Sequence, residues 1–246
     1  MPCHDGAVGT LILVRHGQAS LFSDDYDRLS PLGERQARLL GEHWVTHDVA
    51  FDEAVSGPRK RQRDTARIVA EVYAEKGKPF PEVRQLADFD EMHAEELLRT
   101  TLPKLVEQHA SLRALMTDLS ETSGGEQALR GFQRVFEAVM RMWIKGEIDA
   151  PHIESWQAFC GRVSAGIGNL RALDQRGRRI VAFTSGGTIA AALKASLELS
   201  DEKMLDLSGV IRNASITEIA VSRTRMTPIL FNALPHLGDP SLVTSR

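Results

Sequence analysis

Arg15 and His16 stand directly after the apolar run Leu11-Ile12-Leu13-Val14, and Gly17 and Gln18 follow them. Arginine offers a planar fork of donors that matches phosphate or carboxylate. Histidine is a nucleophile or a proton carrier near neutral pH. A glycine beside them would let the backbone come close to an anion. These types in this order could transfer a phosphoryl group. The plainer alternative is an Arg-His pair that caps a strand with surface hydrogen bonds.

Further chemistry-bearing groups lie downstream. Arg59, Lys60, Arg61, Arg63 and Arg67 crowd the start of a helical pattern. Most of these cations read as a solvated helix start. Arg61 is set apart, because a strand-to-helix turn there faces back to the end of the first strand. Asp88, Asp90 and Glu91 form an acidic cluster in Ala87-Asp88-Phe89-Asp90-Glu91-Met92. A carboxyl group held protonated by burial or a neighbouring carboxylate could act as a general acid; the cluster could equally be a solvated loop. Ser185-Gly186-Gly187 follows another apolar run, Ile180–Thr184. The free amides of a helix N-terminus there could hold phosphate. A serine-hydrolase elbow needs glycine two residues before the serine, and that position is Phe183.

The segments Leu13-Val14-Arg15-His16-Gly17-Gln18, Leu29-Ser30-Pro31-Leu32-Gly33-Glu34-Arg35-Gln36-Ala37 and Ser56-Gly57-Pro58-Arg59-Lys60-Arg61-Gln62-Arg63-Asp64-Thr65-Ala66 together resemble the histidine phosphatase (phosphoglycerate mutase-like) superfamily. The likeness is clear over residues 11–91, weaker at 179–190 and 211–237, and absent from 99–150. It implies a three-layer α/β/α sandwich with a mostly parallel central sheet. It implies that His16 is phosphorylated during turnover and that Arg15 and Arg61 bind the phosphoryl group, with Gly17, Gln18, Ser185 and Gly186 around it. Asp88 falls where the family places its proton donor; Glu91 is the nearby alternative and Asp90 a weaker one. Ser185 departs from the pattern, because the family carries a second catalytic His there. A serine hydroxyl cannot give the charged hydrogen bond of an imidazolium, so reduced catalysis is expected. His236 and, more weakly, His93 could fill the gap, although a structural role suits His236 better.

The expected activity is therefore phosphomonoester hydrolysis through phosphohistidine, without metal or other cofactor. A mutase-type phosphotransferase and a catalytically degenerate phosphate-binding protein are the rivals. The substrate is expected to be a small phosphorylated molecule or a phosphoprotein.

The elements that must position these residues follow from pattern. Residues 11–14 are a strand buried on both faces, and ligands in open α/β sheets bind beyond the carboxyl ends of strands. Ser30-Pro31 starts a helix that runs to about His47, capped by the serine, with Leu32, Leu39, Leu40, His43 and Trp44 inward. Val49–Ser56 is a second strand, 61–76 a helix and Phe80–Leu86 a short strand. Residues 94–150 form a helical cap insertion, with loop signals at Pro103 and Ser123-Gly124-Gly125; a helical layer packed away from the site is the alternative. Helices at 155–173 and 189–199, and strands at 215–222 and 226–231, complete a single domain over 1–246. The acidic, turn-rich stretch Ser23–Asp27 reads as loop.

Bulk properties exclude several classes. The chain has 246 residues, 42% hydrophobic and 26% charged, and a net charge of −3. That is ordinary for a soluble protein and leaves no basic footprint for nucleic acid. No run of 18 apolar residues marks a membrane span, and the start Met1-Pro2-Cys3-His4-Asp5-Gly6 lacks the pattern of a secretory signal. Cys3 and Cys160 make no disulfide framework and no zinc cluster. A cytoplasmic setting is expected; the oligomeric state stays open.

Overall fold

A computed structural model of the chain describes residues 8–20, 27–122, 125–171 and 177–245. The chain forms two compact units, Met1–Glu91 with Arg162–Arg246, and Met92–Gly161. The fold is α/β; the described residues form a mixed six-stranded sheet and eight α-helices.

The first unit carries the sheet. Its strands are β1 (Gly9–Arg15), β2 (Glu53–Ser56), β3 (Val83–Gln85), β4 (Arg179–Thr184), β5 (Ile216–Val221) and β6 (Met226–Ala233), in the order β3-β2-β4-β1-β5-β6. The pairings β3–β2, β2–β4 and β4–β1 are parallel, whereas β1–β5 and β5–β6 are antiparallel. β1 and β4 are the central strands, each with an apolar run, and their register sets Arg15 beside Thr184. The residues that follow, His16 and Ser185, therefore leave the sheet side by side.

Two helices cover one face: α1 (Pro31–Thr46) and α2 (Lys60–Glu75). Leu40 and Trp44 of α1 and Ala66, Val69 and Tyr73 of α2 pack with Ile12, Val14, Val181 and Phe183 of the sheet. Ser30 caps α1 by accepting the Gly33 amide at 3.0 Å, with Pro31 in the first turn. The buried face of α1 is Gly33, Gln36, Ala37, Leu40, Gly41 and Trp44. Leu32, Leu39 and His43, expected inward, are only half-buried. The cause is the close packing of α1 on α2: a Cβ at Gly41 would lie 2.9 Å from that of Val72. A small residue thus turns the helix toward its neighbour.

On the other face, α6 (Trp156–Arg171) brings Ile167 and Leu170 against Leu11, Ile180 and Val221. Beyond β4 lies α7 (Gly186–Leu197), which begins three residues before the expected start and is buried from Gly186 to Leu193. It packs on α8 (Asp201–Val210). Nothing in the periodicity pointed to α8, yet its start is legible: Ser200 caps it through the Lys203 amide, and Asp201 and Glu202 suit its first turn.

The second unit is helical, with α3 (Ala94–Gln108), α4 (Ala110–Ser120) and α5 (Gly125–Ile144). Pro103, read as a loop signal, lies inside α3. One lost backbone bond is outweighed there by the buried line Leu97, Thr101 and Leu105. Ser123 and Gly124 lie outside the described residues, and α5 begins at Gly125. Val135, Val139, Met140 and Trp143 form its buried face, while Phe132 is 44% exposed. The Trp143 and Trp156 rings meet edge to face at 5.4 Å.

Candidate active site

The carboxyl ends of β1 and β4 and the N-termini of α2 and α7 converge on His16. Its ring is buried, at 5% exposure. Nδ1 lies 2.7 Å from the Gly17 carbonyl, and Arg61 Nε donates to Nε2 at 3.1 Å. A carbonyl only accepts and a guanidinium only donates. The ring is therefore neutral, with its proton on Nδ1 and its lone pair on Nε2. Burial, the Arg61 charge and the Arg15 charge together push the imidazole well below its usual 6.5, against the pull of the Gly17 bond. The His16 backbone is pinned as well: its N–H donates to Thr184 at 2.8 Å, and its carbonyl accepts from Asn213 Nδ2 and the Ala214 amide. Ala214 takes a left-handed backbone (φ 56°), strain of the kind found beside functional sites.

Arg15 reaches from the end of β1 to the Ile211 carbonyl and, at 2.9 Å, the Ser245 carbonyl. Its guanidinium lies against the start of α7, where a Cβ at Gly186 would come 3.7 Å from Arg15 Nε. Arg61 is 8% exposed, and its Nη1 is paired with Asp27 at 2.8 Å.

Ser185 is fully buried and accepts from Gln62 Nε2 at 2.8 Å. Gln62 also donates to the Phe89 carbonyl at 3.3 Å and accepts the Arg59 amide at 3.0 Å. Thr184 and Thr188 hydroxyls donate to the Phe89 and Asp90 carbonyls. This lattice straps residues 89–91 to β4 and α7.

The three candidate acids part company in space. Asp88 lies against Gly166 of α6, where an added Cβ would come 2.3 Å from its own. Asp90 is bound to Arg59 at 2.7 Å. Glu91 Oε2 accepts the Gly187 amide at 3.2 Å, in the first turn of α7 and next in sequence to the glycine beside Arg15. Residues from four separated segments thus meet in one unit.

Comparison with known proteins gives this arrangement its context. The model of the histidine phosphatase superfamily (branch 1) matches residues 11–144 and 115–233. The chain belongs to the histidine phosphatase superfamily.

The family match runs through 99–144, where motif likeness alone was not visible. The chain is 31% identical over 88 residues to the mitochondrial serine/threonine-protein phosphatase Pgam5 of Caenorhabditis elegans, a stretch covering 31% of each protein. Among solved structures, mycobacterial glucosyl-3-phosphoglycerate phosphatase with inorganic phosphate shares the fold at TM-score 0.60 and 23% identity, covering 93% of this chain and 99% of that one. Phosphoglycerate mutase from Bacillus anthracis str. Sterne does so at 0.62 and 20%, covering 95% and 96%. Phosphatases and mutases are thus among the proteins that this superfamily member resembles.

Gly17 and Gln18 play parts that their types did not announce. A Cβ on Gly17 would come 2.3 Å from the Gly33 carbonyl, so the close approach is to α1. The Gly17 amide is given to Thr65 Oγ1 and the Gln18 amide to Gln36 Oε1. Gln36 in turn donates to the Leu242 carbonyl and Thr244 Oγ1. His236 is buried against His43, with ring centroids 6.3 Å apart, and neither ring nitrogen meets a partner among the described residues. His93 is the N-cap of α3, in the helical unit. Sequence reasoning missed Asp27 and Gln62. Gln62 was visible within its motif; Asp27 carried no signal beyond its loop composition.

Among the described residues, no cluster of three or more His, Cys, Asp or Glu could hold a metal ion. No described helix is long and apolar enough to cross a membrane.

Proposed function

We propose that the chain hydrolyses phosphomonoesters through phosphorylated His16. The observation that carries this reading is the hydrogen-bond pair on the ring, which leaves Nε2 as an unprotonated nucleophile flanked by a buried guanidinium. Nε2 attacks phosphorus in line, forming a P–N bond as the P–O bond to the leaving group breaks. Arg61 and Arg15 stabilise the charge on the equatorial oxygens. Glu91, in the first turn of α7, gives its proton to the leaving alkoxide. Its carboxylate then takes a proton from water, which attacks phosphorus and breaks the P–N bond, restoring neutral His16. Asp88, facing α6, is the second candidate for the acid. Ser185 stands at the position of the family's second His, and its neutral hydroxyl makes a slower enzyme. The two guanidinium groups supply the positive charge, so the steps use no metal.

The substrate is a small phosphorylated molecule or a phosphoprotein, handled in the cytoplasm. No nucleic acid or membrane enters the reading. A mutase would return the phosphoryl group to substrate instead of water. The buried, neutral state of Ser185 favours one other reading, a phosphate-binding protein without turnover.

The test is an aryl phosphate assay with the wild type, His16→Ala, Glu91→Gln and Asp88→Asn, and acid quenching to trap an acid-labile phosphoenzyme. Turnover and label should vanish in His16→Ala. Undiminished turnover in that variant would sink the mechanism, and binding of phosphate without turnover in the wild type would favour the non-catalytic reading.

A further inference from the structure

Asp27 lies outside the residues assigned to catalysis, yet its carboxylate bridges two groups at the start of α2. Oδ2 accepts the backbone N–H of Lys60 at 2.7 Å, and Oδ1 accepts Arg61 Nη1 at 2.8 Å. The Arg61 side chain is 10% exposed and that of Asp27 34%. Arg61 Nε meanwhile donates to His16 Nε2 at 3.1 Å. A guanidinium is planar, so fixing Nη1 and Nε fixes the whole group. The anchor is firm, because the second carboxylate oxygen is tied to backbone at a helix N-terminus, where an anion is favoured. Asp27 also acts on the charge of Arg59, which is itself held by Asp90 at 2.7 Å. The first turn of α2 therefore has a carboxylate for each of these two arginines.

We propose that Asp27 is the positioning residue of the phosphate clamp: it holds the Arg61 guanidinium plane so that Nε faces the nucleophilic nitrogen of His16 before any substrate arrives. The proposal rests on His16 as the phosphoryl acceptor. A preset donor array needs no reorganisation as charge develops in the transition state, and a small misplacement of such a group costs on the order of 10²-fold in rate. Asp27 touches neither the attacking atom nor the leaving group.

The experiment compares Asp27→Asn and Asp27→Ala in the wild-type and Arg61→Gln backgrounds. Asn retains an acceptor for the Lys60 amide, so Asp27→Asn keeps the helix start if Asp27→Ala does not fold. Three quantities are read: the His16 titration by NMR on resting protein, inorganic phosphate affinity by calorimetry, and kcat and KM on an aryl phosphate. With Arg61 present, Asp27→Asn should weaken phosphate binding about tenfold and lower kcat by on the order of 10²-fold, with a smaller change in KM. The His16 titration should move up toward 6.5, because Arg61 no longer lies against the ring. In the Arg61→Gln background, the same substitution should change phosphate affinity by less than about twofold.

Equal losses in both backgrounds would overturn the proposal, since a general structural role does not need Arg61. A downward shift of the His16 titration would overturn it too, because that is the result of deleting an anion while Arg61 stays in place. The titration uses no substrate, so it judges Asp27 even if the wild type turns over no phosphoester. That latter failure would strike the proposed function alone.

Discussion

The two central strands end side by side, yet their ends are built on different physics. At the end of β1, a buried imidazole faces the guanidinium of Arg61, with that of Arg15 also acting on its charge, and its basicity is depressed by charge as well as burial. At the end of β4, the groups are neutral: Ser185, Gln62, Thr184 and the Phe89 carbonyl bond to one another. Charge-assisted hydrogen bonds are roughly twice as strong as neutral ones. In the proposed mechanism the first end stabilises a phosphoryl group in transit, and the second holds backbone in place. The lesson is that one fold can keep a strand-turn-helix geometry while spending its charge on one side only.

The comparison can be broken at several points. Arg61→Ala should have the largest effect, a loss of about 10²–10³ in kcat/KM with retained folding, read by steady-state kinetics and circular dichroism. A loss below tenfold would mean that the charged end is not where the transition state is held.

Acid should act next, on stability. His236 is buried with no bonded partner among the described residues, and burial, with the His43 charge adding to it, pushes its imidazole down to about 4. In the unfolded chain it titrates near 6.5. Between these values the unfolded state binds more protons, so stability is complete above pH 6.5 and falls as pH drops toward 4. The loss is on the order of 3 kcal/mol, at about 1.4 kcal/mol per unit. Denaturant midpoints at pH 7 and pH 4.5 should show the fall, and His236→Leu should lessen it; an equal fall in that variant would place the acid sensitivity elsewhere.

Gln62→Ala should cost about 1–3 kcal/mol of stability, because it takes the acceptor from the Arg59 amide and the donor from the buried Ser185 hydroxyl. Ser185→Ala should have the smallest effect, less than about tenfold in kcat/KM, since Oγ is committed to Gln62. A larger loss there would show that the neutral end takes part in the chemistry after all.

Much of this was legible in the chain itself. β1, α1, α2 and β4 follow from apolar runs, a serine cap and helical spacing, which are local signals. His16, Arg15 and Arg61 were marked by type and by motif. What escaped depended on contacts between distant segments. The rotation of α1 was hidden because Gly41 shows its meaning only against Val72. α3 runs through Pro103 because tertiary burial outweighed a local breaker. The division of Asp88, Asp90 and Glu91 among α6, Arg59 and α7 is a matter of how one short turn is strapped down, and spacing within a six-residue cluster cannot express that. Asp27 was read as loop, since its partners are 33 and 34 positions away.

The segment 239–245 carries a consequence for how the protein is made. Leu242 and Thr244 hold Gln36, and the Ser245 carbonyl receives Arg15 across 230 positions of sequence. Synthesis runs from Arg15 to Ser245, so the nascent chain has His16 and both arginines long before it has the carbonyl that Arg15 reaches. The Arg15 contact can therefore form only after residue 245 clears the ribosome.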